Sequence, residues 1–121
     1  MKNLLQWTAL SIAIIGTAPA MMSLAAEAPP VTGKDLAEAK HCNVCHEGAT
    51  PKIGPAFRDV ARRYAGLNNG KAMIARIIHT GSGTPTAVYH WGSSTMPPET
   101  VRVPVSDAEA DVLADYVLSF K

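Results

Sequence analysis

The middle of the chain repeats apolar residues at the three- and four-residue spacing of amphipathic helices. One such segment is predicted to end at Gly66, and its apolar face consists of Phe57, Val60, Ala61 and Tyr64. The next helix is predicted to run from Gly70 to Thr80, with Asn68 or Asn69 as its cap and Gly81 ending it. Its buried stripe consists of Met73, Ile74, Ile77 and Ile78.

Two further helices are predicted from their starting sequences. Thr32-Gly33-Lys34-Asp35 has the form of a helix start, and this helix is expected to continue through Leu36 and Ala39 into Cys42. Ser106-Asp107-Ala108-Glu109 reads as a capping box that opens the last helix. The apolar face of that helix is predicted to contain Val112, Leu113, Tyr116, Val117 and Phe120.

Two stretches between these helices lack periodicity. Glu47 to Gly54 contains Gly48 and Pro51 and is predicted to be a loop. Gly81 to Val105 shows no sustained pattern and contains four prolines, at positions 85, 97, 98 and 104. Loops of this length are uncommon in compact domains unless they are functional. The second stretch is therefore expected to wrap a bound group.

Residues 1–26 have the features of an export signal that is cleaved. Lys2 gives a positive start, Leu4 to Ile15 is largely apolar, and small residues follow. The apolar run is too short to span a bilayer, so an uncleaved membrane anchor is the weaker interpretation. Export would place the protein in the periplasm, an oxidising compartment, and leave residues 27–121 as one domain.

The charge of this domain excludes some partners. The full chain has 11 Lys+Arg and 10 Asp+Glu, and removing Lys2 leaves ten of each sign. A balanced charge argues against nucleic acid as a partner and gives no strong global field for steering. A domain this small also has little core, and a bound cofactor would supply a large apolar surface to pack against.

The only two cysteines lie in Cys42-Asn43-Val44-Cys45-His46. On one helical turn, two thiols and an imidazole at this spacing can face one flat partner. This is the attachment pattern of c-type haem, in which the thiols add to the vinyl groups and His46 ligates the iron. A thioredoxin-like pair lacks the preceding strand, a zinc site lacks further ligands, and a disulfide leaves His46 unexplained.

Met96 is the favoured candidate for the second axial ligand of the iron. It lies in the polar stretch Ser93 to Pro98, where no amphipathic pattern requires an apolar residue and two prolines stiffen the chain. His90 is the main competitor. Met73 is better explained by core packing, His41 lies on the attachment side, and His79 suits the end of a helix.

Arg58, Arg62 and Arg63 fall on the polar face of the second predicted helix. A solvated surface is the favoured interpretation, with Asp59 compensating Arg63 four residues later. A docking patch is the alternative.

Together these residues resemble the small bacterial monohaem class I cytochromes c of the short electron-carrier type. The resemblance covers about residues 34–121. It rests on the C-x-x-C-H motif, Gly54-Pro55-Ala56-Phe57, Trp91-Gly92, Met96-Pro97-Pro98 and the C-terminal helix. The first motif is shared by all c-type cytochromes, whereas the combination in this order is specific.

The resemblance implies an all-α class I cytochrome c fold of about four to five helices, with the first and last crossing, around one covalently bound haem c. It implies that Cys42 and Cys45 form the thioethers, that His46 and Met96 ligate the iron, and that the Pro55 carbonyl accepts the His46 Nδ1–H. Arg76 and Trp91 match positions that hydrogen-bond a haem propionate. One departure is the longer segment between Pro98 and Ser106, where the family asparagine near the methionine sulfur has no counterpart.

The implied function is a soluble periplasmic one-electron carrier that exchanges electrons with redox donors and acceptors through transient docking. It is expected to be monomeric and not an enzyme. With both axial positions filled, the iron would have no site for a substrate, and the thioether would favour Fe(II). One alternative is a haem subunit of a larger oxidoreductase. The other is a haem enzyme or sensor in which Met96 is labile.

Overall fold

The computed structural model describes residues 31–83 and 89–121 of the chain. The predicted export signal, residues 1–26, lies outside the described residues, as do residues 84–88 of the long loop. The described part contains four α-helices and no strand: α1 (Gly33–Ala39), α2 (Phe57–Tyr64), α3 (Gly70–Thr80) and α4 (Asp107–Leu118). Two single 3₁₀ turns, Cys42–Val44 and Glu99–Val101, lie in the connections. The predicted all-α class is therefore confirmed.

Helix α1 begins where its sequence predicts, but it ends before the cysteine motif. Thr32 Oγ1 accepts a hydrogen bond from the Asp35 N–H at 3.1 Å, which caps the helix. The prediction that the helix continues into Cys42 is wrong. His41 adopts φ 58° and ψ 25°, a left-handed conformation that stops α1 and starts a separate 3₁₀ turn at Cys42.

Helix α3 has the predicted bounds, and Asn69 occupies its N-cap position without a side-chain hydrogen bond. Helix α4 begins with the predicted capping box, in which Ser106 Oγ accepts from the Glu109 N–H and Glu109 accepts from the Ser106 N–H. Glu109 also pairs with Lys40 at 2.9 Å, which ties the end of α1 to the start of α4.

Helix α4 is central to the bundle, because α1, α2 and α3 all pack against it. The contact between the first and last helices agrees with the predicted fold. The larger side chains of the buried core are Leu36, Phe57, Tyr64, Ile74, Ile78, Val105, Leu113 and Val117. Val112 is a correction: it was predicted on the apolar face of α4, but it is 39% exposed, since the face centres on Leu113 and Val117.

No helix among residues 31–83 and 89–121 is long and apolar enough to cross a membrane.

Candidate functional site

The cysteine motif folds as a tight turn, and its hydrogen bonds join residues only three or four positions apart. The His46 N–H donates to the Cys42 carbonyl at 3.0 Å, and the Cys45 N–H donates to the same oxygen at 3.2 Å. No disulfide joins the two cysteines, which are half-buried and line one cavity. Burial raises the pKa of the Cys42 thiol, which the guanidinium of Arg102 partly opposes.

His46 is held by the loop that follows it. Its Nδ1 lies 2.8 Å from the Pro55 carbonyl oxygen, and because a carbonyl can only accept, Nδ1 carries the proton and Nε2 keeps its lone pair for a metal. Its ring stacks on Phe57, with centroids 5.3 Å apart and planes 19° from parallel. Burial lowers the pKa of His46, although the hydrogen bond to Pro55 acts the other way. The imidazole is thus favoured in the neutral form that ligates metals.

Gly54 completes the support of the His46 ring. A Cβ at this position would lie 2.6 Å from Cε1 of His46, so the backbone packs directly against the imidazole. The Gly54 N–H donates to the Cys45 carbonyl at 2.8 Å, which fixes this approach. Only a residue without a side chain fits here unless the ring moves.

Met96 is fixed at the end of α3 by a reciprocal pair of hydrogen bonds with Ser82. The Met96 N–H donates to Ser82 Oγ at 2.7 Å, and the Ser82 N–H donates to the Met96 carbonyl at 2.9 Å. Gly81 has φ 75° and ψ 179°, a region that essentially only glycine adopts, and a Cβ there would lie 2.4 Å from the Met96 carbonyl oxygen. The end of α3 therefore dictates the position of the Met96 backbone.

The four side chains predicted to attach or ligate the haem line one cavity of about 460 Å³: Cys42, Cys45, His46 and Met96. Its walls are largely apolar and include Phe57, Ile74, Ile78, Leu113 and Val117. This volume falls in the range of ligand and cofactor cavities. Thiols, an imidazole with a free Nε2 and a thioether in an apolar pocket fit a covalently bound haem.

The other methionine and histidine candidates are placed differently. Met73 packs against the hydrophobic core and does not line the cavity. Both ring nitrogens of His79 are engaged, with Glu99 at 2.8 Å and Asp107 at 3.4 Å. His90 is exposed and lies outside the cavity lining, whereas His41 contributes to the lining beside Cys42.

Trp91 lines the cavity and belongs to a stack of aromatic and basic side chains. The Arg63 guanidinium lies 5.3 Å from the Trp91 ring centroid and 5.2 Å from that of Tyr89. The Tyr89 ring in turn meets Tyr64 edge to face at 5.1 Å. Asp59 pairs with Arg62, so its predicted compensation of Arg63 is wrong. Arg63 instead lies over the two aromatic rings, whose faces attract a cation.

Arg76 lies on α3, within electrostatic range of Tyr64. Burial raises the pKa of Tyr64, and the charge of Arg76 partly offsets that increase. It does not line the cavity directly. Its assignment to a propionate stays a prediction, as does that of Trp91.

Three residues whose hydrogen bonds hold the stretch around Met96 against the end of α3 were not identified in the sequence. Besides Ser82, these are Arg102, whose Nε donates to the Pro97 carbonyl at 2.7 Å, and Glu99, which accepts from His79. Their partners are backbone atoms or a distant histidine, so no motif marks them. The only available signal was the segment between Pro98 and Ser106, which was expected from the resemblance to be longer than in related proteins.

The helical bundle and its cavity define the class of protein as a small all-α, class I cytochrome c. The family model described as cytochrome c matches residues 30–121, and the chain belongs to this family. It is 42% identical over 89 residues to cytochrome c-552 of Hydrogenobacter thermophilus, covering 73% of this chain and 81% of that one. It is 41% identical over 96 residues to cytochrome c-551 of Pseudomonas aeruginosa, covering 79% and 80%.

The fold agrees with a solved structure. The crystal structure of wild-type cytochrome c552 from Nitrosomonas europaea superposes with a TM-score of 0.62 at 39% identity, covering 73% of this chain and 99% of that one. Family membership makes the chain a small electron-carrier cytochrome with one covalently attached haem c.

Proposed function

We propose that this protein is a soluble periplasmic one-electron carrier, in which Cys42 and Cys45 bind the haem through thioethers and His46 and Met96 ligate its iron. The observation that supports this most directly is the convergence of all four side chains on one apolar cavity. When bound, the haem supplies a reversible one-electron couple at its iron.

His46 would act as a rigid nitrogen ligand. Its hydrogen bond to Pro55 selects the tautomer with Nε2 available, and its contacts with Gly54 and Phe57 limit rotation of the ring. A ligand that is already oriented needs little reorganisation when the charge on the iron changes. This favours fast electron transfer. The hydrogen bond to Pro55 also raises the basicity of Nε2.

Met96 would close the remaining axial position. Its backbone N–H and carbonyl are both hydrogen-bonded to Ser82, which fixes the position of its Cα at the cavity wall. A neutral, soft thioether in an apolar pocket favours Fe(II) and a raised potential. With both positions filled by protein, no coordination site is left for a substrate, which supports a carrier rather than an enzyme.

Exposed apolar side chains at the cavity provide a docking surface for redox donors and acceptors. Val44 is 57% exposed and Ile53 is 63% exposed, and both contribute to the cavity lining. Apolar residues exposed in this way suit brief, weakly charged encounters, in keeping with the zero formal balance of residues 27–121. We infer transient docking of a monomeric carrier, without nucleic acid or stable membrane insertion.

The periplasmic location and the division into a cleaved signal, residues 1–26, and a haem domain, residues 27–121, rest on the sequence of the leader. N-terminal sequencing of the exported protein tests both.

The ligand assignment is tested by the spectrum of the oxidised protein and by carbon monoxide binding to the reduced protein. We expect the weak near-infrared band of sulfur-to-iron charge transfer near neutral pH and no carbon monoxide binding. Met96→Ala should abolish the band, admit carbon monoxide and lower the potential. Met73→Leu should do none of these, because that side chain packs in the core.

His90→Ala is the control for the competing ligand. If it abolishes the native spectrum while Met96→Ala leaves it intact, the axial assignment is wrong. If the wild-type protein binds carbon monoxide readily, the iron has an open position and the protein is an enzyme or sensor rather than a carrier. Co-purification in a stoichiometric complex would instead identify a subunit of a larger oxidoreductase.

A further inference from the structure

We infer that Arg102 is a positioning residue for the axial methionine: its guanidinium joins the carbonyl next to Met96 to the end of α3 and places a positive charge at the cavity wall. This inference rests on the proposed His46/Met96 ligation. It predicts that Arg102 both keeps the axial position closed and favours the reduced state.

The geometry of the guanidinium supports the first part. Arg102 Nε donates to the Pro97 carbonyl at 2.7 Å, and Nη2 donates to the Ile78 carbonyl in the last turns of α3. A guanidinium offers donors in a fixed planar fork, so the two carbonyls are held at a defined separation. The residue that follows Met96 is thereby bonded to a rigid helix.

The segment that carries Arg102 is itself fixed. The 3₁₀ turn Glu99–Val101 brings the chain back toward α3, and the Arg102 N–H donates to the Glu99 carbonyl at 3.0 Å. The Glu99 carboxylate bonds His79 of α3 at 2.8 Å and accepts from the Val105 N–H at 3.3 Å. The turn is therefore attached at both ends, and the arginine side chain extends from a stable base.

The charge of Arg102 reaches the inside of the cavity. Arg102 contributes to the cavity lining and is partly buried. The Pro97 and Ile78 carbonyls hold the guanidinium in place, so its charge stays at the cavity wall. A fixed positive charge beside an apolar cavity stabilises the state with one more electron, which raises the midpoint potential.

The experiment compares three variants of the holoprotein. Arg102→Met removes charge and hydrogen bonds, and Arg102→Lys keeps the charge but cannot bond both carbonyls at once. Arg62→Met is the matched control, because it removes an arginine that is 65% exposed and lies outside the haem cavity. The measurements are the midpoint potential and the affinity of the oxidised protein for imidazole, which competes with Met96.

We expect Arg102→Met to bind imidazole at least about tenfold more tightly than the wild type, because two charge-assisted hydrogen bonds near the ligand are lost. Its midpoint potential should fall. Arg102→Lys should also bind imidazole more tightly but keep a potential close to that of the wild type. Arg62→Met should match the wild type in imidazole affinity.

The inference is overturned if imidazole affinity in Arg102→Lys equals that of the wild type, whether or not Arg102→Met folds. The role of the charge is overturned if Arg102→Lys lowers the potential as much as Arg102→Met does, or if Arg102→Met does not lower it. These failures are distinguishable from failure of the proposed function. The wild-type near-infrared band would persist in the former case and would be absent in the latter.

Discussion

The two sides of the cavity are built in different ways. The segment of residues 42–57, which carries the cysteines and His46, is held mainly by contacts within itself, such as His46 to Pro55, nine residues apart. The segment of residues 89–105, which carries Met96, is held largely from outside, by α3 and by Ser82 just beyond the end of that helix. Arg102 reaches Ile78 across 24 positions and Glu99 reaches His79 across 20.

This difference has consequences for stability. A segment held by short-range contacts can keep its structure when distant parts of the chain loosen. A segment that is attached to a helix by a few hydrogen bonds opens more easily when one of them is lost. Such segments belong to the less stable parts of a protein. We therefore expect the Met96 segment to open before the His46 segment, so that Met96 is the first axial ligand to dissociate.

The largest effect on the free energy of unfolding is expected from Gly81→Ala, which weakens the attachment of the Met96 segment to α3. The new Cβ would lie 2.4 Å from the Met96 carbonyl oxygen, and the backbone conformation at φ 75° is unfavourable for alanine. We expect a loss of about 3 kcal/mol or more in the free energy of unfolding, from backbone strain and overpacking together. Urea denaturation measures it, and the near-infrared band should disappear at lower urea concentration than the helical signal.

Gly54→Ala is the corresponding change on the other side. Its Cβ would lie 2.6 Å from Cε1 of His46, so the ring must shift, at a cost of about 1–3 kcal/mol. The interval of urea concentration between loss of the near-infrared band and loss of the helical signal should be narrower than in Gly81→Ala. Gly66→Ala is the control, because nothing lies within 4 Å of its Cβ, and its stability should be close to that of the wild type. An interval as wide as that of Gly81→Ala would contradict the difference between the two segments.

Trp91→Phe and Arg76→Ala are expected to have smaller effects, which concern the midpoint potential rather than stability. Trp91→Phe removes the indole N–H but keeps a ring for Arg63 to stack on. Each variant should retain covalent haem and shift the midpoint potential, together with its dependence on pH, if the two residues bond a propionate. Voltammetry over a range of pH tests this, and unchanged potentials at every pH in both variants would refute the assignment.

The smallest effect concerns Glu99 and the acid sensitivity of the Met96 segment. The hydrogen bond from His79 holds the pKa of Glu99 below its usual value, with the Val105 N–H acting in the same direction. A lowered carboxyl pKa contributes stability above the ordinary pKa, and this contribution disappears as the pH falls through the folded-state pKa. Urea midpoints should therefore fall less steeply on acidification in Glu99→Gln than in the wild type.

Glu47→Gln, in the His46 segment, is the control for that experiment. Its nearest basic partner, Lys52 Nζ, lies 3.9 Å away, and both side chains are largely exposed. We expect a smaller change in the acid slope than for Glu99→Gln. An equal change in both variants would show that the effect is not specific to the Met96 segment.

The sequence was most informative where one short pattern determines one structure. The bounds of α3 follow from its apolar stripe and Gly81, and the start of α4 follows from the capping box at Ser106. The spacing of Cys42, Cys45 and His46 predicted a haem site because residues three and four apart lie on one face of a helical turn.

Prediction failed where the backbone departs from a regular pattern or where the partner is distant. The spacing from α1 into Cys42 fits a continuous helix, but His41 adopts a left-handed conformation that no periodicity reveals. Val112 fits the apolar repeat of α4, yet the faces of the neighbouring helices leave it exposed. Arg102 bonds carbonyl oxygens, which every residue carries, so its role has no sequence signature.

The central claim, that Met96 closes the axial position of the haem iron, is tested most directly by proton NMR of the reduced protein with methyl-labelled methionine. Residues 27–121 contain two methionines, Met73 and Met96. We predict one methyl signal shifted far upfield by the porphyrin ring current, retained in Met73→Leu and absent in Met96→Ala. An upfield signal that vanishes in Met73→Leu, or no such signal in the wild type, would contradict the account.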